Sequence, residues 1–205
     1  MQCLMNRRHL LAAAAAFLAT PLLAQAPVSS PAPAAADLVK VALDTEAGRI
    51  VLALDRGHAP LSTANFLRYV DAKRYDGEPF YRAMKIGDAG GLIQGGVRSS
   101  SSKLYAPIAH EPTSTTGLKN VAGTIALANS GPGTARGDFF IMSVDVPYFD
   151  ATASDPGFAA FGRVVEGMDV VNKILAAPVS STKGEGPMKG QMLDPTIKII
   201  KASRL

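Results

Sequence analysis

Residues 123–141 read GTIALANSGPGTARGDFFI. An apolar run, Gly123 to Ala128 (GTIALA), ends on Asn129, and a second, Phe139 to Val144 (FFIMSV), follows a glycine-rich segment. Short apolar runs bounded by Gly, Pro, Asn and Ser have the length of strands, not of helices. The intervening Gly131 to Gly137 (GPGTARG) lacks the G-K-[ST] ending of a phosphate-cradling loop. Arg136-Gly137-Asp138 spells an adhesion tripeptide, but three-residue matches arise often by chance and Phe139-Phe140 follow at once. The stretch therefore predicts two strands joined by a glycine-rich turn.

Working outward, the same reading repeats. Leu38 to Asp44 (LVKVALD) and Arg49 to Leu54 (RIVLAL) flank Thr45-Glu46-Ala47-Gly48, a hairpin signal. Phe161 to Val165 (FGRVV) is a further strand, and Asp194 to Lys201 (DPTIKIIK) is a closing strand placed to pair with the N-terminal hairpin. Two helices are expected. Pro60 pre-sets a first turn, and Ala59, Thr63, Phe66, Leu67 and Val70 follow helical spacing. The second spans Glu166 to Ala176, with Met168, Val171, Ile174 and Leu175 as its buried stripe. Glycines and prolines break up residues 76–122, where Arg82 follows Phe80-Tyr81 and Gln94-Gly95-Gly96 follows Leu92-Ile93. A strand ending in Gln-Gly-Gly lets another backbone approach closely. Many short strands with two helices favour a barrel or sandwich over a doubly wound sheet.

Composition narrows the chemistry. The chain has 205 residues, 21 Lys and Arg against 17 Asp and Glu, and a net charge of +4. Without residues 1–36 the balance is 19 to 17, too even for a nucleic-acid binder, which concentrates basic charge on one face. The single cysteine, Cys3, allows no internal disulfide framework, and His9, His58 and His110 lack metal-ligand spacing. No G-x-S-x-G elbow is present, and Ser99 to Ser102 reads as a surface loop. At the N-terminus Arg7-Arg8 precede the apolar run Leu10 to Ala19, and Ala24-Gln25-Ala26 forms an A-x-A end. This predicts a signal peptide over residues 1–26, with Ala34-Ala35-Ala36 as an alternative cleavage site. Leu10 to Ala26 is seventeen residues long and contains Pro21, short of the roughly 20 that a membrane span needs. Residues 27–36 (PVSSPAPAAA) read as a disordered spacer, and the folded domain as residues 37–205. The expected destination is the periplasm, free of a membrane anchor after cleavage; the arginine pair also fits twin-arginine export.

Taken together, four ordered segments resemble cyclophilin-type peptidyl-prolyl isomerases. Residues 123–141 look like that family's central signature, and 80–96 (FYRAMKIGDAGGLIQGG) are similar to its F-H-R-V-I…I-Q-G-G segment. Pro60 to Phe66 (PLSTANF) resembles P-x-T-x-x-N-F, and Phe161 to Val171 (FGRVVEGMDVV) resembles F-G-x-V-x-x-G-x-x-V. The resemblance runs from about residue 38 to 202. It implies a mainly β fold, a closed eight-stranded antiparallel β-barrel capped by two α-helices. It implies a monomeric enzyme that rotates X-Pro bonds in polypeptides, with neither cofactor nor metal.

By the same resemblance the catalytic arginine falls on Arg82, and Gln94, Ala128, Asn129 and Phe140 take substrate-binding places. Tyr81 stands where the family has histidine, Leu92 where it has methionine, and Asp138 where it has glutamine. Tyr148 stands near the pocket tryptophan's place, and Phe158 replaces the late pocket histidine. Between Arg82 and Ile93 this chain has ten residues, more than the family pattern, so Lys85 to Gly91 is expected to form a surface loop beside the substrate groove. Tyr81, Asp138 and Phe158 keep a second class in view: a non-catalytic proline-peptide-binding module or chaperone on the same barrel. Retention of Arg82, Gln94, Asn129 and Phe140 favours the enzyme.

Overall fold

The computed structural model describes residues 37–205; the expected signal peptide and spacer lie outside the described residues. Strands β1 (Leu38–Thr45) and β2 (Gly48–Asp55) form the expected hairpin, followed by α1 (Pro60–Asp71). A second hairpin comprises β3 (Pro79–Ile86) and β4 (Gly90–Gly95), and a single helical turn, α2 (Thr113–Thr116), precedes β5 (Thr124–Leu127) and β6 (Phe139–Met142). Then come β7 (Ala160–Glu166), α3 (Met168–Leu175), β8 (Val179–Ser180) and β9 (Met192–Arg204). The order around the sheet is β1-β2-β7-β5-β6-β4-β3-β9, and β9 pairs back with β1, so eight antiparallel strands close a barrel. Two features go beyond the expectation. Strand β8 adds a ninth strand outside the ring, paired only with the start of β9. A third helix, α2, is one turn of TSTT ending at Gly117, which has a φ of 74°. Four residues carry no helical apolar period, so nothing in the sequence marked it.

The barrel interior is filled by the inward half of each strand. Phe139 and Phe80 meet edge to face at 5.8 Å, and Phe66 of α1 packs on Phe139 at 5.2 Å and on Phe161 at 5.5 Å. All four are fully buried, and truncating any one to Ala falls in the class that costs about 3–5 kcal/mol. Helix α1 has no side-chain cap at Ala59. Instead the buried Glu111 carboxylate accepts from the N–H groups of Leu61 (2.9 Å) and Ser62 (2.6 Å). A carboxylate there satisfies orphan donors and complements the positive end of the helix. In α3, Val171, Ile174 and Leu175 are buried as their spacing predicts, with Val170 beside them and Met168 partly covered.

The Lys85–Gly91 expectation is corrected. Lys85 pairs with Gly91 and Ile86 with Gly90, so the additional residues lengthen the β3–β4 hairpin instead of looping out. Its tip, Gly87 to Ala89, lies beside Asn172 and Leu175 of α3, while the opposite end of the same strands carries Arg82 and Gln94. Residues added equally to both arms extend the ladder, which satisfies their backbone groups.

The segment after β4 is held by Glu78, whose side chain is fully buried. It accepts from the backbone N–H groups of Arg98 (2.8 Å) and Ser99 (2.9 Å), from the Ser99 hydroxyl, and from Lys103 Nζ at 2.8 Å. Burial opposes ionisation, but the Lys103 ammonium, the Ser99 hydroxyl and the two N–H groups outweigh it and hold the carboxyl below its ordinary 4.5. A depressed carboxyl contributes stability above its unfolded pKa and loses it as pH falls through the folded one. Glu78→Gln is therefore expected to cost about 1–3 kcal/mol near neutrality, with the gap to wild type closing in acid below the ordinary carboxylate value. Denaturant melts across that range test this; a gap independent of pH would show that ionised Glu78 is not the clamp.

Candidate active site

Arg82 reaches the outside of the barrel through an irregularity in β3. Phe80 stands opposite Gly95 and Arg82 opposite Gln94, so Tyr81 is one residue more than β4 supplies. Such a bulge resets the side-chain alternation. Phe80 points into the core, Tyr81 and Arg82 both face a groove outside it, and Ala83 points inward again. The groove has a volume of about 420 Å³.

Register builds its floor. A row crosses four strands, with Arg82 beside Gln94, Gln94 beside Phe140, and Phe140 beside Ala126. Phe139 and Phe140 are neighbours in one strand, so one enters the core and the other faces the groove. At the apolar end Phe140 meets Phe158 edge to face at 5.2 Å and Phe149 at 5.5 Å, with Leu92 packed alongside.

The Arg82 guanidinium is held at several points. Nε donates to Gln191 Oε1 at 2.8 Å and Nη1 to Gln94 Oε1 at 2.9 Å, while Nη2 lies 3.2 Å from Met84 Sδ. Partial burial lowers its pKa and neighbouring Tyr81 raises it; an arginine stays charged throughout. The Gln94 oxygen is engaged, so its NH₂ is the part left to donate to a ligand.

The other end of the groove is charged. Tyr81 Oη donates to Asp138 Oδ2 at 3.2 Å, and the Arg98 guanidinium lies 4.7 Å from the Tyr81 ring centroid and 3.9 Å from Asp138 Oδ2. Burial raises the Asp138 carboxyl pKa against the opposing pull of Arg98 and Tyr81, and burial likewise raises the Tyr81 phenol, reinforced by the Asp138 charge. The Gly95-Gly96 pair makes room on both faces. A Cβ on Gly95 would lie 2.9 Å from the Phe80 ring, and one on Gly96, where φ is 150°, would lie 2.1 Å from Asp138 Oδ1.

The rim between these ends is residues 128–138. Ala128 N bonds Asp138 O at 3.0 Å, closing the loop at its base. Asn129 Oδ1 accepts from Gly131 N at 3.0 Å, Thr134 Oγ1 donates to Gly131 O at 2.7 Å, and Asn65 of α1 donates to Arg136 O at 2.6 Å. Among the described residues, the backbone N–H and C=O of Asn129 have no backbone partner, which leaves an edge for an extended peptide.

Of the residues singled out in the sequence, Tyr81, Arg82, Leu92 and Gln94 line this groove together with Ala128, Asn129, Asp138, Phe140 and Phe158. Tyr148 does not, which corrects that expectation. It is 62% exposed and stacks its ring edge-on against Phe149 at 5.0 Å; Phe149 is the residue in the groove wall. Pro147–Phe149 form a 3₁₀ turn, in which successive side chains point about 120° apart. Turning Phe149 in therefore turns Tyr148 out. Sequence reading also missed Met84, Met188, Gln191 and Met192. Strand alternation from Arg82 gives Met84, whereas nothing local marks Gln191, 109 residues away.

Residues 38–203 match the family described as cyclophilin type peptidyl-prolyl cis-trans isomerase/CLD. Peptidyl-prolyl cis-trans isomerase A of Dickeya dadantii is 39% identical over 180 residues, covering 84% of this chain and 90% of that protein. A peptidyl-prolyl cis-trans isomerase of Streptomyces antibioticus is 40% identical over 151 residues, 70% of this chain and 87% of that one. A crystal structure of a Cryptosporidium parvum cyclophilin type isomerase matches with a TM-score of 0.65 at 20% identity, over 82% of this chain and 98% of that one, a likeness of fold. The family match runs from β1 into β9, and with it the chain belongs to the cyclophilin-type peptidyl-prolyl cis-trans isomerases.

Proposed function

We propose that the protein rotates X-Pro bonds of polypeptides in the groove, with Arg82 as the catalytic residue, and that its substrates are proteins exported from the cytoplasm. The observation that carries the reading is a braced, permanently charged guanidinium set beside an aromatic pocket. A peptide bond resists rotation by about 18–20 kcal/mol because its nitrogen lone pair is delocalised. In the twisted transition state the proline nitrogen becomes pyramidal and regains that pair. An N–H of Arg82 donates to it, and the bond is strong only in the twisted state, so it lowers the barrier. Phe140, Phe149, Phe158 and Leu92 hold the proline ring. The Gln94 NH₂ and the free backbone groups of Asn129 hold the flanking peptide, so that one side turns while the other stays fixed. The apolar walls favour the twisted amide, which is less polar than the planar one. No nucleophile is required.

Export rests on Arg7-Arg8, the apolar run and the Ala24-Gln25-Ala26 end. Slow prolyl steps of tens of seconds limit folding, and a compartment that receives unfolded chains has use for this activity. N-terminal sequencing of protein recovered from the cell envelope is expected to find a terminus after Ala26, or as late as after Ala36. An intact Met1 or Gln2 in most molecules would sink the export reading.

Arg82→Ala is expected to lower kcat/KM about a hundred- to a thousandfold, the typical effect of losing one preorganised donor. Its effect on stability is expected to stay within about 1 kcal/mol. Arg82→Lys should also be slow, because an ammonium lacks the planar fork. The measurement is exchange kinetics on an X-Pro peptide with a melting curve for each variant. A folded Arg82→Ala protein as fast as wild type would remove Arg82 from the mechanism. A wild type with no acceleration would leave a peptide-binding module.

The aromatic wall makes a second contrast. Phe149→Ala is expected to lower kcat/KM by about tenfold or more, given aromatic contacts worth about 0.5–1.5 kcal/mol each. Tyr148→Ala, which faces solvent, should stay within about twofold of wild type. Equal losses in the two variants would contradict the assignment of Phe149 to the proline pocket.

A further inference from the structure

Gln191 lies at the end of the segment that leads from β8 into β9. It is fixed on every side. Its carbonyl accepts from Ala83 N at 2.9 Å, its N–H donates to Met188 O at 3.1 Å, and its side-chain Nε2 donates to Pro187 O at 2.8 Å. With the amide nitrogen committed to a carbonyl, the oxygen is the end that faces Arg82, and it takes the Nε–H at 2.8 Å. Gln94 takes an Nη1–H at 2.9 Å. Two oxygens from two different segments thus grip the planar guanidinium at separate nitrogens.

An arginine side chain held at its backbone alone carries about 2 kcal/mol of rotamer entropy, and its N–H groups sweep a wide region. Gripped at one nitrogen it can still tilt. Gripped at Nε and Nη1 its plane is set, and the N–H groups left over point in fixed directions. Catalysis by a developing hydrogen bond needs that fixity, because a misplacement of about 1 Å costs on the order of a hundredfold. We propose that Gln191 is a positioning residue of the isomerase, which together with Gln94 orients the Arg82 guanidinium toward the substrate's proline nitrogen. The proposal rests on the reading of Arg82 as the catalytic residue.

The test compares Gln191→Leu, Gln191→Glu, Arg82→Ala and the double variant Arg82→Ala/Gln191→Leu. Exchange kinetics give kcat and KM separately, and a melting curve is taken for each. Gln191→Leu removes the acceptor and is expected to lower kcat about tenfold, with KM within about twofold and Tm lowered by only a few degrees for the two side-chain hydrogen bonds lost. Gln191→Glu keeps an acceptor for Nε but loses the donor to Pro187 O, and is expected to recover part of the rate. In the Arg82→Ala background Gln191→Leu is expected to cause no further loss. The Arg82 Nε–H resonance of the wild type is expected to exchange slowly with solvent, and fast in Gln191→Leu. Wild-type kinetics in Gln191→Leu, a full further loss in the double variant, or an Nε–H that exchanges equally fast in both proteins would overturn the proposal while leaving Arg82 catalytic. If Arg82→Ala alone is as fast as wild type, the reading of Arg82 falls first and the role of Gln191 falls with it.

Discussion

In an unbroken strand Phe80 and Arg82 would face the same way, because side chains alternate with a period of two. One of them fills the aromatic core and the other is a half-buried cation held by the side-chain oxygens of Gln191 and Gln94, so they cannot share a face. The extra residue at Tyr81 resolves this conflict. It gives the barrel Phe80 and gives the groove two consecutive side chains, Tyr81 and Arg82. The rest of the site is keyed to that step. Gln94 can brace Arg82 because the bulge puts them opposite each other, and Gly95 stays free of a side chain because Phe80 lies against it.

The departures from the family pattern become intelligible as contacts. Tyr81 stands for a histidine and Asp138 for a glutamine, and the two side chains hydrogen-bond to each other. The two departures thus meet at a single place in the groove. Arg98 covers that pair from outside, and its backbone N–H is in turn held by the buried carboxylate of Glu78. Burial drives the Asp138 carboxyl toward protonation, and Arg98 opposes it. The charged end of the groove is thus anchored through Glu78 to the start of β3, the strand that carries Arg82.

The fold was largely legible because its strands obey simple alternation and its helices simple spacing. GTIALA and FFIMSV each contain the strand expected of them, β5 and β6 taking four of the six residues, and Phe66 and Val70 marked the buried face of α1. Legibility failed where a side chain's direction depends on local winding. Tyr148 and Phe149 are adjacent aromatics, and only the 3₁₀ turn decides which enters the groove. It failed again at Lys85 to Gly91, where glycines suited a loop and equally suited a tight hairpin tip with Gly87 at φ 60°. It could not reach Gln191, since no pattern near residue 191 refers to Arg82; the contact exists because β9 pairs with β3.

That pairing also accounts for the ninth strand. Opposite Phe80 stands Ile197, yet opposite Arg82 stands Met192, so β9 spends five positions where β3 spends two. Such an excursion leaves backbone groups without their ladder partners, and a closed barrel has no other strand to offer them. Strand β8 supplies the partners, with Val179 paired to Leu193 and Ser180 to Met192, and Pro178 O accepting from Asp194 N at 3.0 Å. Leu193 is thereby kept in the core while the chain just before it rises over the groove edge with Met188, Gln191 and Met192. The far end of the same strand closes the barrel against β1. The element that seals the barrel is therefore also the one that brings an acceptor to Arg82, and the short strand outside the ring makes the two tasks compatible.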